Sequence, residues 1–173
     1  MTMLHVDLSG LNAMLHEMGD AAEAAARPAA QAASQVLYDE VKRNAQGIRQ
    51  KSGNLARSIY QVYSQTNSGP GHATYHVSWN QRKAPHGGLV EFGHIQRYVS
   101  FVGSDGNWYT AIRAGMRGKP KPRRGASQAA KDAYYVTLPA PKQVAAKPFV
   151  RPAASKFSAA ADAAAAKLLE EIG

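Results

Sequence analysis

Apolar positions near the start of the chain recur at steps of three and four. Leu8, Leu11, Leu15 and Met18 follow that spacing with Met14 beside them, predicting helix over residues 9–47 with Ser9 as N-cap. Pro28 cannot donate to the preceding turn, so a kink or break is expected at Arg27–Pro28, with Pro28 opening the second segment. A helical hairpin and one long kinked helix both satisfy the pattern. Beyond Pro28, Ala29, Ala33, Val36, Leu37, Val41, Ala45 and Ile48 share a face, and the alanines allow another helix to approach closely.

After a loop from Gly47 to Gly53 and a helical turn over Asn54–Ser58, the period changes to two. Residues 59–112 read as two strand hairpins. The first joins Ile59–Ser64 to Ala73–Trp79 through the turn Asn67–Gly71, with Tyr75, Val77 and Trp79 on one face. Gly88–Gly93 reads as a short helix. The second hairpin joins Tyr98–Val102 to Trp108–Ile112 around Asp105–Gly106, a pair that tolerates positive φ at both central positions. Residues 114–127 are rich in Pro, Gly and basic side chains and read as an exposed, mobile loop. A last strand is expected over Tyr134–Leu138, then a Pro-rich connection. A final helix over 152–172 has the stripe Phe157, Ala161, Ala164, Leu168 and Ile172. The order of helix, strands and helix predicts a single α+β domain over residues 1–173. Its mostly antiparallel sheet would hold about four to six strands, with the C-terminal helix packed on it.

Charge adds an asymmetry to this outline. The formal net charge is +9, but residues 41–161 hold 19 of the 21 Lys and Arg with only Glu91, Asp105 and Asp132 as acids. That body carries +16 and the two flanks together −7, which suits contact with a polyanion or between like subunits. There is no cysteine, which excludes disulfides, thiolate metal sites and a cysteine nucleophile. No apolar run approaches the roughly 20 residues that cross a bilayer, so no membrane partner is expected. Met1–Asp7 has no basic start followed by an apolar block, so no signal peptide is expected.

Candidate chemistry is sparse. His72 and His76 lie in strand sequence, where four residues span roughly 13 Å, too far for one ion. His86 and His94 flank Glu91 but lack metal-site spacing. Gly115–Lys119 resembles the end of a phosphate loop, yet Pro120 stands where Ser or Thr is needed. No catalytic, metal or cofactor site is expected. The strong electrostatic feature is the arm of Arg113, Arg117, Lys119, Lys121, Arg123 and Arg124, suited to phosphate contact without base readout or to docking on an acidic protein surface.

Three segments taken in order resemble a known family. Lys51–Ile59 resembles a (Ser/Thr)-Gly-Asn-Leu-x-x-Ser-Ile element. Leu89–His94 resembles a Val-Glu-Phe-Gly element that follows a strand hairpin. Lys147–Ala153 resembles a Pro-Phe-(Leu/Val)-Arg-Pro-Ala element that opens the last helix. Together they are similar to the neck and minor-tail components of long-tailed bacteriophages, the tail-completion or head–tail joining proteins. The resemblance implies a non-enzymatic virion protein, assembled in the host bacterial cytoplasm and built into the neck or tail. It also implies a homo-oligomeric ring, a hexamer being favoured, with adjoining neck, connector or tail-tube proteins as partners and DNA as a possible non-specific contact. A tail terminator ring and a free-standing nucleic-acid-binding module are the alternatives.

The motif residues Ser52, Gly53, Asn54, Leu55, Glu91, Phe92, Gly93, Phe149, Arg151 and Pro152 are expected to be fold anchors. Ser52 would cap a turn, Leu55, Phe92 and Phe149 would pack in the core, and Gly93 would stop a helix. Glu91 should find an arginine, Arg151 should pair, and Pro152 should start the last helix. The chain departs from the family pattern at His86-Gly87-Gly88, where Tyr-Ala is usual, and it is longer over residues 95–131.

Overall fold

The computed structural model describes residues 9–48 and 53–173, with side chains from His16 onward. Ser52, the Ser9 cap and the stripe residues Leu8, Leu11, Met14 and Leu15 therefore lie outside what is described. The fold is α+β, and the chain divides into two compact units. Unit 1 comprises Met1–Glu91 with Pro148–Gly173, and unit 2 comprises Phe92–Lys147.

Unit 1 is organised by helix α1, Ser9–Gly47, which runs through Pro28 without interruption. The hairpin alternative is thereby excluded. Its buried positions Ala25, Ala29, Ser34, Val41 and Ala45 follow helical spacing. Helix α2 (Asn54–Ser58) leads into the antiparallel pair β1 (Ile59–Tyr63) and β2 (Tyr75–Trp79), in register from Ile59 opposite Trp79 to Tyr63 opposite Tyr75. Gln61 donates to Ser34 Oγ and to the Gln31 carbonyl, and the Arg27 guanidinium lies 4.4 Å from the Tyr63 ring centre, tying the ribbon to α1. The core gathers Val41, Ala45, Leu55, Ala56, Ile59, Ala84, Phe149 and Ala153, with Val77 and Trp79 packed on it.

The last helical stretch begins with a 3-10 segment at Arg151–Lys156, Pro152 standing in its first turn, and continues as α5, Phe157–Ile172. Helix α5 lies along α1 rather than on a sheet, and small residues make the approach close: Ala25 and Ala29 on α1, Ala160 on α5. The expected stripe needs correcting for this reason. Ala153 and Ala160 face inward, whereas Phe157 is 62 % exposed. Large side chains would hold two helices apart, so alanines take the seam.

Unit 2 holds four strands: β3 (His94–Tyr98), β4 (Ser100–Val102), β5 (Trp108–Thr110) and β6 (Thr137–Val144). Six strands are present among the described residues, within the expected range, but they form three antiparallel pairs rather than one sheet. β3 pairs with β6 and β4 with β5. Where the pairs meet, Val99 N–H donates to the Val136 carbonyl, Val136 N–H to Ala111, and Ala111 N–H to Val99. With an Ile112–Tyr135 bridge, the three segments close on one another.

Three boundaries differ from the sequence reading. Gln128–Tyr134 forms helix α4, capped by the Ser127 side chain accepting from Ala130 N–H, so Tyr134 is helical and the strand starts at Thr137. β6 continues through Pro139 and Pro141, because the register shifts between Gln96 and Tyr98 and the prolines fall in the bulge, where no ladder donor is required. In the β4–β5 turn only Gly106 has positive φ, 76°. Gly106 N–H reaches the Gly103 carbonyl, a turn closed by a glycine bulge rather than two left-handed residues.

Candidate functional site

Glu91 is the one fully buried charged side chain among the described residues, 1 % exposed at the end of the short helix α3, Gly87–Phe92. Its carboxylate meets the segment that opens the last helix. Oε2 accepts from the N–H groups of Phe149 (2.7 Å) and Val150 (3.0 Å). Oε1 accepts from the N–H and the Nε of Arg151 (3.1 and 3.0 Å), whose Nη2 donates to the Glu91 carbonyl at 2.6 Å. The second and third motifs are thus one object in space, although some 60 residues separate them. Burial alone would raise the Glu91 pKa, but the three backbone N–H donors and the guanidinium outweigh it and hold the carboxyl below its ordinary range. A carboxylate so committed has no free acceptor for proton transfer to a substrate. It acts as a clamp.

The clamp seats Phe149, fully buried, edge-on to Trp79 with ring centres 5.4 Å apart. Asn44 Nδ2 donates to the Phe149 carbonyl, fastening the same segment to α1. Burying a Phe side chain is worth roughly 1.5–3 kcal/mol, so the clamp positions one of the larger contributors to this small core. The Trp79 indole also presses on Gly87. A Cβ there would stand 2.2 Å from Nε1, so a glycine is required at Gly87 while Gly88 has room. This accounts for Gly87 within the departure from Tyr-Ala at His86-Gly87-Gly88.

The remaining motif residues fall as follows. Gly53 is the left-handed residue before α2, with φ 68°, and its carbonyl accepts from Arg57 N–H. Asn54 is exposed and accepts from Arg57, while Leu55 is buried. Gly93 follows α3 with φ 72°, in contact with the backbone of Val144 and Ala146, where a Cβ would not fit. Phe92 is the correction: it is 66 % exposed and not a core anchor. Glu91 and Gly87, four residues apart, occupy the inward face of α3, which turns the next residue outward.

Unit 2 collects the charge. Its 56 residues carry ten Lys and Arg against Asp105 and Asp132, a net +8, leaving unit 1 near neutral at +1. Both acids are engaged internally. Asp132 accepts from Tyr98 OH (2.9 Å) and Gln128 Nε2 (2.7 Å), which holds its pKa down. The Tyr109 hydroxyl is the main influence lowering Asp105. Arg113, grouped with the arm in the sequence, is a strut: its Nε donates to the carbonyls of Asp132 (2.9 Å) and Tyr135 (3.0 Å). The loop is pinned where Tyr134 OH donates to the Lys119 carbonyl and Lys131 Nζ to that of Arg124. Arg117, Lys119, Lys121, Arg123 and Arg124 remain exposed. The Tyr98–Gln128–Asp132 network and the Trp79–Gly87 contact carry no motif; an aromatic facing a glycine pair is the only hint the sequence offers.

Unit 1 thus uses its buried carboxylate as a structural clamp, and unit 2 is an acid-poor basic unit with an exposed arm. Residues 9–93 match the model of the family described as "Bacteriophage HK97-gp10, putative tail-component". The match bears out the resemblance to tail components of tailed phages, and it ends where α3 gives way to unit 2. No curated protein and no solved structure matches the chain.

Proposed function

We propose that this protein is a non-enzymatic structural component of the neck or tail end of a tailed phage particle, completing the head–tail connection by assembling into a ring. The observation that carries the reading is the tail-component match over α1 to α3. Charge supports it: a near-neutral unit with acidic helix ends and a unit at +8 are complementary between copies or stacked rings. The exposed side chains of Arg117, Lys119, Lys121, Arg123 and Arg124 face an adjoining ring or the phosphates of passing DNA.

The test is native mass spectrometry of the purified full-length chain, together with its position in a map of the intact particle. A closed oligomer, with the hexamer first in expectation, and density at the neck or tail end are the expected results. A monomer at every concentration, or absence from purified particles, overturns the proposal.

A further inference from the structure

Hairpin β4–β5 exposes both of its faces. The register sets Phe101 opposite Tyr109 on one face and Val102 opposite Trp108 on the other, and all four are exposed, Trp108 by 62 %. A two-stranded ribbon by itself is marginal in water. This one is braced from within. Tyr109 OH donates to Asp105 Oδ2 at 2.6 Å, Asn107 donates to Asp105 through its backbone N–H and its Nδ2, and the Tyr109 ring lies so close to Gly103 that a Cβ would stand 2.7 Å from it. Bracing of this kind lowers the ordering cost of docking.

The surroundings set the sign of the partner. Unit 2 is at +8, its two acids are spent on hydroxyl and amide donors, and no ion pair lies within it among the described residues. An occupant should be acidic and carry an apolar ridge. The chain supplies one. Helix α1 extends about 24 Å ahead of Ala25, its first buried residue among those described. Residues 16–20 are exposed throughout, Met18 by 47 %. Glu17, Asp20 and Glu23 recur at steps of three, and no Lys or Arg precedes Arg27.

We propose that the N-terminal overhang of α1 in one copy docks on hairpin β4–β5 of the next. The contact joins two different surfaces, which is the kind that propagates around a ring when the rotation closes. Trp108 and Phe101 are the anchors, and the basic side chains of unit 2 steer the acidic helix onto them. The inference rests on the ring reading above and names its interface.

The test uses full-length protein in three forms: wild type, Glu17→Lys/Asp20→Lys/Glu23→Lys, and Phe101→Ser/Trp108→Ser. Sedimentation velocity and native mass spectrometry read association, and far-UV circular dichroism checks the fold. Wild type should associate, and each variant should associate about tenfold or more weakly. Mixed together, the two variants should form a one-to-one heterodimer, since one keeps the hairpin and the other the overhang. If the double variant misfolds, Trp108→Ser alone gives the same readings.

Wild-type association in both variants overturns the interface and leaves the ring standing. So does a mixture that fails to pair. Loss in the hairpin variant alone removes the overhang as occupant. Loss of duplex-DNA binding with self-association intact assigns the hairpin to nucleic acid and overturns the proposal. A wild type monomeric at every concentration overturns the ring reading as well.

Discussion

Replacing Glu91 by glutamine changes no volume but removes one charge and one acceptor. Each carboxylate oxygen accepts from two donors: Oε2 from Phe149 and Val150, Oε1 from the N–H and Nε of Arg151. Whichever way the amide turns, its NH2 group faces two donors. An unsatisfied buried donor costs about 1–3 kcal/mol, and removing one member of a buried pair costs about 3–5 kcal/mol. The Arg151 side chain is 57 % exposed and can rehydrate, so its share is small. The buried N–H groups set the loss, about 2–5 kcal/mol, a large part of a typical domain stability of about 5–15 kcal/mol.

Urea unfolding followed by Trp79 fluorescence, in a Trp108→Phe background, reads unit 1 directly. The midpoint should fall with the m-value unchanged. The dependence on pH has a definite sign. The folded-state pKa of Glu91 is depressed, so its contribution is present above the unfolded glutamate value near 4.3 and disappears as pH falls through the lower folded value. The gap between wild type and Glu91→Gln should therefore narrow below about pH 4. A loss under about 1 kcal/mol at neutral pH, or a gap that stays constant on acidification, would refute the clamp as described.

Two further outcomes follow from the packing. Gly87→Ala drives a methyl group into the Trp79 indole and should cost about 1–3 kcal/mol in unit 1 by the same urea assay, while Gly88→Ala, with 3.9 Å of clearance, should be tolerated. In unit 2, Arg113→Ala should lower the melting temperature read by near-UV circular dichroism, whereas Lys121→Ala should leave it unchanged, because only the former side chain braces carbonyls of the closed three-segment unit.

Periodicity reads local order well, and the chain shows where that ends. The bounds of α1 follow from helical spacing, and its passage through Pro28 does not, since one missing donor is outweighed by the face packed against α5. The β1–β2 ribbon is legible because alternation and a turn coincide there. Helix α4 is missed because a short stretch of Gln, Ala and Lys beside a Pro-Gly loop has no apolar face to announce it; its cap at Ser127 is the usable signal. Phe92 is misplaced for a related reason. An aromatic reads as core, but a buried carboxylate with four donors takes the inward position instead.

The sequence by itself determined the α+β class, the helical termini, the ribbons, the concentration of basic residues and the three motifs that resemble a phage tail family. Each is a property of residues near one another in the chain, or of their summed charge. The tertiary structure decided which distant residues meet. Glu91 finds the N–H groups of Phe149, Val150 and Arg151, Trp79 requires a bare Gly87, and the +8 charge belongs to a separate unit whose hairpin leaves both faces exposed. No local pattern encodes these, because a carboxylate's partners are backbone groups that every residue carries, and only the fold selects the three it brings within reach.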